Sequence, residues 1–115
     1  MKILVCGCRH YSDYSSIYRV IKAFGSDVTI ISGACHGADK LAVEVAKKLD
    51  LTFREYPAKW SLYGKKAGPI RNQQMIDMES PDLVIAFHPD IESSKGTKDM
   101  IRRAKYHGIK TIIKD

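Results

Sequence analysis

Long apolar runs are missing from this sequence. The longest in its second half, Leu83-Val84-Ile85-Ala86-Phe87, falls far short of the ~20 residues that a membrane-spanning helix needs. At the start, Lys2 is followed only by Ile3-Leu4-Val5-Cys6 before Gly7, too little for the apolar core of an export signal. Cysteine is scarce and odd in number: Cys6, Cys8 and Cys35, with no pair separated by two residues. That argues against a disulfide framework and for a reducing, cytoplasmic setting. Cys6, Cys8 and His10 alternate, but Cys6 falls in an apolar strand, and soft-metal sites bring four ligands from loops. No metal and no cofactor are therefore expected, and no membrane partner. Internal repeats, low-complexity tracts and linkers are absent as well.

What is present suits one soluble globular domain spanning residues 1–115. Of the 115 residues, 44% are hydrophobic and 28% charged, too apolar a mixture for a disordered chain. The net charge of +6 is unevenly placed. From Lys95 to Asp115 there are seven basic and two acidic residues, whereas the rest of the chain is nearly balanced. Such a segment suits either an anionic partner or a solvated helix face.

Short apolar runs alternate with helical periodicities. Ile3–Cys6, Val28–Ile31, Leu51–Tyr56, Leu83–Phe87 and Ile109–Ile113 read as strands. Tyr14, Ile17, Tyr18, Ile21 and Phe24 mark a first helix. Ala38, Leu41, Ala42, Val45, Ala46 and Leu49 mark a second, and the clearest, amphipathic one. A polar, aromatic loop over 58–66 precedes a weaker third helix over 69–78, and a basic fourth helix covers 97–107. Strands apolar on both faces and alternating with helices predict an α/β fold. It is a single Rossmann-like doubly wound parallel sheet of about five strands, with helices on both faces.

Ligands in such folds bind beyond the carboxyl ends of the strands. Three loops there are rich in small residues: Gly7-Cys8-Arg9, Ser32-Gly33-Ala34-Cys35-His36-Gly37-Ala38-Asp39, and Ser94-Lys95-Gly96-Thr97. The last two open helices, where free N–H groups and the helix dipole favour an anion. Each by itself is equally an ordinary turn that needs glycine. The first loop lacks the second glycine of G-x-G-x-x-G, which disfavours a dinucleotide dehydrogenase, and no G-x-x-x-x-G-K-[ST] is present. Pro69 fits the first helical position, which places Arg71 and Asn72 in the first turn of the third helix. Arg71 there suits a bidentate phosphate contact and Asn72 a sugar or base; the plainer alternative is a surface arginine and a helix-start asparagine. His36 and His88 fall at strand ends, and Trp60 and Tyr63 suit either base stacking or packing of their loop. No Ser-His-Asp ordering stands out.

Four segments together resemble the SLOG superfamily, and within it the small YspA-type, cpYpsA-related group. They are Val5-Cys6-Gly7-Cys8-Arg9, Gly33–Asp39, Gly68-Pro69-Ile70-Arg71-Asn72-Gln73-Gln74-Met75, and Gly96-Thr97-Lys98-Asp99-Met100. The chain departs from that pattern at Cys8, where a second glycine is frequent, at His36, where arginine is common, and at Glu92–Lys95, where a Gly-Gly pair is usual. The resemblance implies a Rossmann-like binder or sensor of a nucleotide or nucleotide-sugar, either a nucleoside monophosphate or an ADP-ribose-like compound. Gly7, Arg9, Ser32, Gly33, Gly37, Asp39, Arg71, Asn72, Gly96 and Thr97 would form the pocket. In this reading Arg9 and Arg71 neutralise phosphate, Thr97 caps the fourth helix, and Asp39 meets ribose or complements the helix dipole.

Two alternatives stand behind it. An N-glycosidic hydrolase needs a carboxylate near the anomeric carbon. The phosphoribohydrolase relatives place a glutamate three residues beyond Gly-Thr, where this chain has Met100. That leaves Asp99, rotated by about 100° around the helix, as the catalytic candidate. The other alternative is a single-stranded nucleic-acid module on the basic helix. Lys98, Arg102 and Lys105 share a face there, but no aromatics interleave with them, so a solvated face is expected. The sequence leaves a homo-oligomer open.

Overall fold

The computed structural model describes all 115 residues. Five strands form one all-parallel sheet: β1 (Lys2–Gly7), β2 (Thr29–Ser32), β3 (Thr52–Glu55), β4 (Leu83–Phe87) and β5 (Lys110–Lys114), in the order β3-β2-β1-β4-β5. The expected Rossmann-like doubly wound sheet is borne out. The hydrophobic run of β1 alternates in its destination. Ile3 and Val5 face one layer, while Leu4 and Cys6 face the other, because successive side chains of a strand point to opposite faces.

On the first face lie α1 (Tyr14–Lys22) and α2 (Ala38–Lys48), packed over Ile3, Val5, Ile30, Ile85 and Phe87. On the second lie α4 (Ala67–Glu79) and α5 (Lys95–Tyr106), which cover Leu4, Ile31, Val84 and Ala86 with Met75, Ile76, Met100, Ile101 and Ala104. Each fully buried Ile, Leu or Val contributes about 1.5–3 kcal/mol relative to exposure. β1 and β4, buried on both faces, are therefore where stability concentrates. The outer strands differ from expectation, since β3 and β5 expose most of their residues, as edge strands do.

Three boundaries also differ. The segment expected as a loop over 58–66 holds a single helical turn, α3 (Trp60–Tyr63), and a 3-10 turn at Gly64–Lys66. The next helix starts at Ala67, so Pro69 is its third residue and Arg71 and Asn72 lie beyond its first turn. Pro69 is tolerated there because the first four N–H groups of a helix have no intrahelical partner to lose. α5 starts at Lys95, and its cap is Ser94, whose side chain accepts from the Thr97 N–H at 3.2 Å. Thr97 is thus a buried first-turn residue rather than the cap.

Candidate functional site

The sheet order reverses between β2-β1 and β4-β5, so the carboxyl ends of β1 and β4 flank the topological switch point, where open α/β sheets receive ligands. β1 ends at Gly7, and the Cys8 N–H donates to the Phe87 carbonyl at 3.0 Å, which ties the β1 loop to the end of β4. The Cys8 carbonyl in turn accepts from Ala38 N–H at 3.2 Å, tying the same loop to the start of α2. Gly37 makes that approach feasible. Its φ is +81°, and a Cβ there would drive into the Cys8 and Arg9 backbone. Because Gly37 is also the N-cap of α2, no side chain caps that helix. The positive end of α2 therefore sits beside Arg9, which is exposed and enters no ion pair. The start of α5 is capped by Ser94 but leaves space over Gly96, where a Cβ would meet nothing within 4 Å.

Behind this rim lies a buried polar layer. Arg71 is 9% exposed and reaches from α4 to the end of β2. Its Nη1 donates to the Gly33 carbonyl at 2.5 Å and the Tyr56 carbonyl at 3.4 Å, its Nε donates to Asn72 Oδ1 at 2.9 Å, and both terminal nitrogens approach the Cys35 sulfur. Gly33 is small for this reason, since a Cβ would lie 2.5 Å from Arg71 Nη1 and 2.9 Å from Asp39 Oδ2. Asp39 closes the cluster: its carboxylate accepts from Cys35 N–H, and its carbonyl accepts from the Ser32 hydroxyl at 2.9 Å. Burial pushes the Asp39 carboxyl up to about 6; the Arg71 charge and the N–H groups of Cys35 and Gly33 offset part of that effect. The same burial, reinforced by the Asp39 charge, raises the Cys6 thiol far out of the reactive range.

A second cluster joins α4 to α5. Asn72 donates to Asp99 Oδ2 at 3.0 Å and to the Gly96 carbonyl at 3.3 Å, while Arg102 and Arg103 hold the two Asp99 oxygens at 2.7 and 2.8 Å. Burial alone would raise the Asp99 carboxyl. The hydrogen bonds from Arg103 and Asn72 and the two arginine charges outweigh it, so the group sits below its ordinary value.

The structure thus sorts the sequence candidates into two sets. Arg9 and Gly96 are exposed, and Gly7 and Gly37 half-buried, around the strand-end rim. Ser32, Gly33, Asp39, Arg71, Asn72, Thr97 and Asp99 are buried behind it. The Arg71 fork, anticipated as a phosphate contact, is turned on the protein's own backbone. His36 is exposed on the rim, whereas His88 is buried and accepts from Asp90 N–H at 3.0 Å. Sequence reasoning missed Tyr56 and Cys35 as partners of Arg71. It also missed buried Glu79, which receives the Arg54 guanidinium, the Tyr56 hydroxyl and the Lys2 ammonium. A signal for Glu79 existed: it continues the buried Asn72, Met75, Ile76 stripe of α4.

A family model described as YspA, cpYpsA-related SLOG matches residues 1–63, the part that contains the β1 loop, the Gly33–Asp39 loop and α2. The chain belongs to this SLOG family. Another relative is the Gene 61 protein of Mycobacterium phage D29, 27% identical over 122 residues, an alignment covering 96% of this chain and 94% of that protein. Among solved structures, the SLOG chain is similar to DNA processing protein A (DprA) from Streptococcus pneumoniae. The TM-score is 0.59 at 17% identity, over 98% of this chain and 58% of the DprA chain. At that identity the likeness shows the fold alone. This chain spans little more than half of the DprA chain it matches.

Proposed function

We propose that this SLOG domain binds a nucleotide or nucleotide-derived ligand, a nucleoside monophosphate or an ADP-ribose-like compound, at the strand-end rim. The observation that carries the reading is the junction of Gly37 with the Cys8–Arg9 backbone. It brings the start of α2, which no side chain caps, against the Arg9 backbone at the switch point, and the exposed Arg9 side chain enters no ion pair. A helix N-terminus with a guanidinium next to it is an anion site of the kind that phosphate groups occupy. The buried Arg71–Gly33–Asp39 and Asn72–Asp99 clusters support the rim by fixing the loops from which it is built.

Calorimetry against AMP, ADP-ribose, NAD and cyclic nucleotides tests the reading, together with the 260 nm absorbance of the purified protein. At least one of these compounds is expected to bind, and Arg9→Ala should weaken it by about 1.5 kcal/mol, or tenfold. No binding across the panel, or binding indifferent to Arg9, would overturn it.

The hydrolase reading is weaker on this geometry. Asp99 is held ionised by three donors and so does not offer a proton to a leaving base. Asp39, titrating at about 6, has the right acidity but is 5% exposed behind Gly33. Binding without release of adenine from AMP is the expected outcome of a chromatographic assay.

A further inference from the structure

Several exposed apolar side chains cluster along α3 and the outer side of α4, in the segment that follows the carboxyl end of β3. Trp60, Leu62 and Tyr63 on α3 are 55%, 66% and 44% exposed, and Ile70 and Met78 continue the patch along the outer side of α4 at 40% and 67%. Along α4 lies a concavity of about 450 Å³ edged by Lys59, Tyr63, Gln73 and Gln74, and by Arg71, whose guanidinium is turned inward to the Gly33 carbonyl. Leaving so much aromatic surface in water is costly unless a partner covers it.

The charges around the patch indicate the partner. Residues 57–66 contain Lys59, Lys65 and Lys66 and no acid, and none of the three lysines enters an ion pair. On the opposite side, Gln73 links the concavity to the basic face of α5. Its Oε1 accepts from Arg103 Nη1 at 2.9 Å, and its Nε2 meets His107 Nε2 at 3.2 Å. Lys105 is exposed on the same helix. One carboxylate, Asp77, lines the concavity, and the Gln73 amide donates to it at 2.9 Å. The fold therefore supplies what α5 lacks by itself, stacking platforms within reach of cations, with amide groups between them.

We infer that the outer face of α3 and α4 is a binding surface for single-stranded nucleic acid, separate from the nucleotide rim. Trp60 and Tyr63 stack on bases, the three lysines take the backbone phosphates, and Gln74 is placed to meet a base edge. Exposed aromatics beside a basic track are the recognition chemistry of single strands, because every base offers a π-face. An acidic protein surface would satisfy the lysines but would not use the flat aromatic faces.

Trp60 is the only tryptophan in the chain, so its fluorescence reports stacking directly. Titration with dT15 at 50 mM salt is expected to quench it. Anisotropy of labelled dT15 should show affinity falling roughly twentyfold between 50 and 200 mM salt if three phosphates are neutralised. Trp60→Ala, with an unchanged melting temperature, should weaken dT15 at least fivefold, and Lys65→Ala/Lys66→Ala should flatten the salt dependence. Arg9→Ala and saturating AMP should leave dT15 binding unaltered; competition would place the strand on the rim and overturn the separate surface without touching the nucleotide reading. Absence of quenching, a preference for duplex, or a Trp60 blue shift elicited by anionic vesicles or by raising protein concentration alone would each overturn the inference.

Discussion

Arg71 shows how one buried charge can organise a loop. A guanidinium that is 9% exposed must have its donors satisfied, and this one turns them to Gly33, Tyr56, Asn72 and Cys35. Removing it leaves the Gly33 and Tyr56 carbonyls without that donor and takes a nearby cation from buried Asp39, a loss of about 1–3 kcal/mol for each buried group left unsatisfied. Arg71→Ala is therefore expected to lower the urea midpoint markedly, and Arg71→Lys to recover little, because a single ammonium does not span the same partners. Unaltered stability with lost nucleotide affinity would instead make Arg71 a ligand contact. Asp39, in the same cluster, sets a pH dependence. Its native value of about 6 exceeds the ordinary 3.8, so the folded state holds the proton more tightly than the unfolded chain. Whatever stability this gives is complete below about pH 4 and is lost as pH rises through 6, a change of about 2–3 kcal/mol. Asp39→Asn should remove that slope, and denaturation series at pH 4.5 and 7.5 for both proteins measure it. A parallel pair of curves would show that Asp39 titrates normally.

At the scale of the elements, α4 connects the sheet edge to the site. Its Glu79 end is joined to β3 through Arg54 and Tyr56 and to β1 through Lys2. Burial would raise the Glu79 carboxyl, but the bonds from Tyr56, Lys2 and Arg54 prevail and hold it below its usual value. Tyr56→Phe removes one of those donors and is expected to cost about 1.5–3 kcal/mol in chemical denaturation, with the tyrosine carbonyl still available to Arg71. A cost near zero would mean that Arg54 and Lys2 suffice. The sequence made α4 legible only in part. The order of strands and helices followed from apolar periodicity, and Gly7, Gly37 and Arg9 were found because strand-end loops carry their own residue signature. Gly68-Pro69 read as a start because proline usually sits first, yet the preceding 3-10 turn let the helix begin at Ala67. The inward turn of Arg71 and Asn72 was not legible. It depends on Gly33 and Asp99, thirty-eight and twenty-seven residues away in sequence, and no local pattern encodes such distances.

For the whole molecule, the decisive fact is that β1 is central. The family model matches residues 1–63, which carry β1, β2, β3, α1 and α2, and that half has a complete core on neither face, since Leu83, Ile85 and Phe87 belong to the α1–α2 side. On the other face Leu4, Cys6 and Ile31 are covered by Met75, Ile76, Met100, Ile101 and Ala104, all beyond residue 63. The edge of β1 from Ile3 to Gly7 pairs with Leu83 to Phe87 of β4. Ending the chain at residue 63 would uncover Leu4 and Ile31, each about 1.5–3 kcal/mol when buried, and would expose a flat apolar strand edge. Since small domains hold only 5–15 kcal/mol in total, the matched half should not persist alone. We propose that the 115 residues are one cooperative unit. A fragment of residues 1–63 is expected to show no cooperative thermal transition, and mixing it with a fragment of residues 64–115 should restore helical and near-ultraviolet circular dichroism. A sharp melt of the 1–63 fragment by itself would divide the chain into a self-sufficient α/β half and an appended half made of α4, β4, α5 and β5, and would leave the α4–α5 polar clusters outside the folding core.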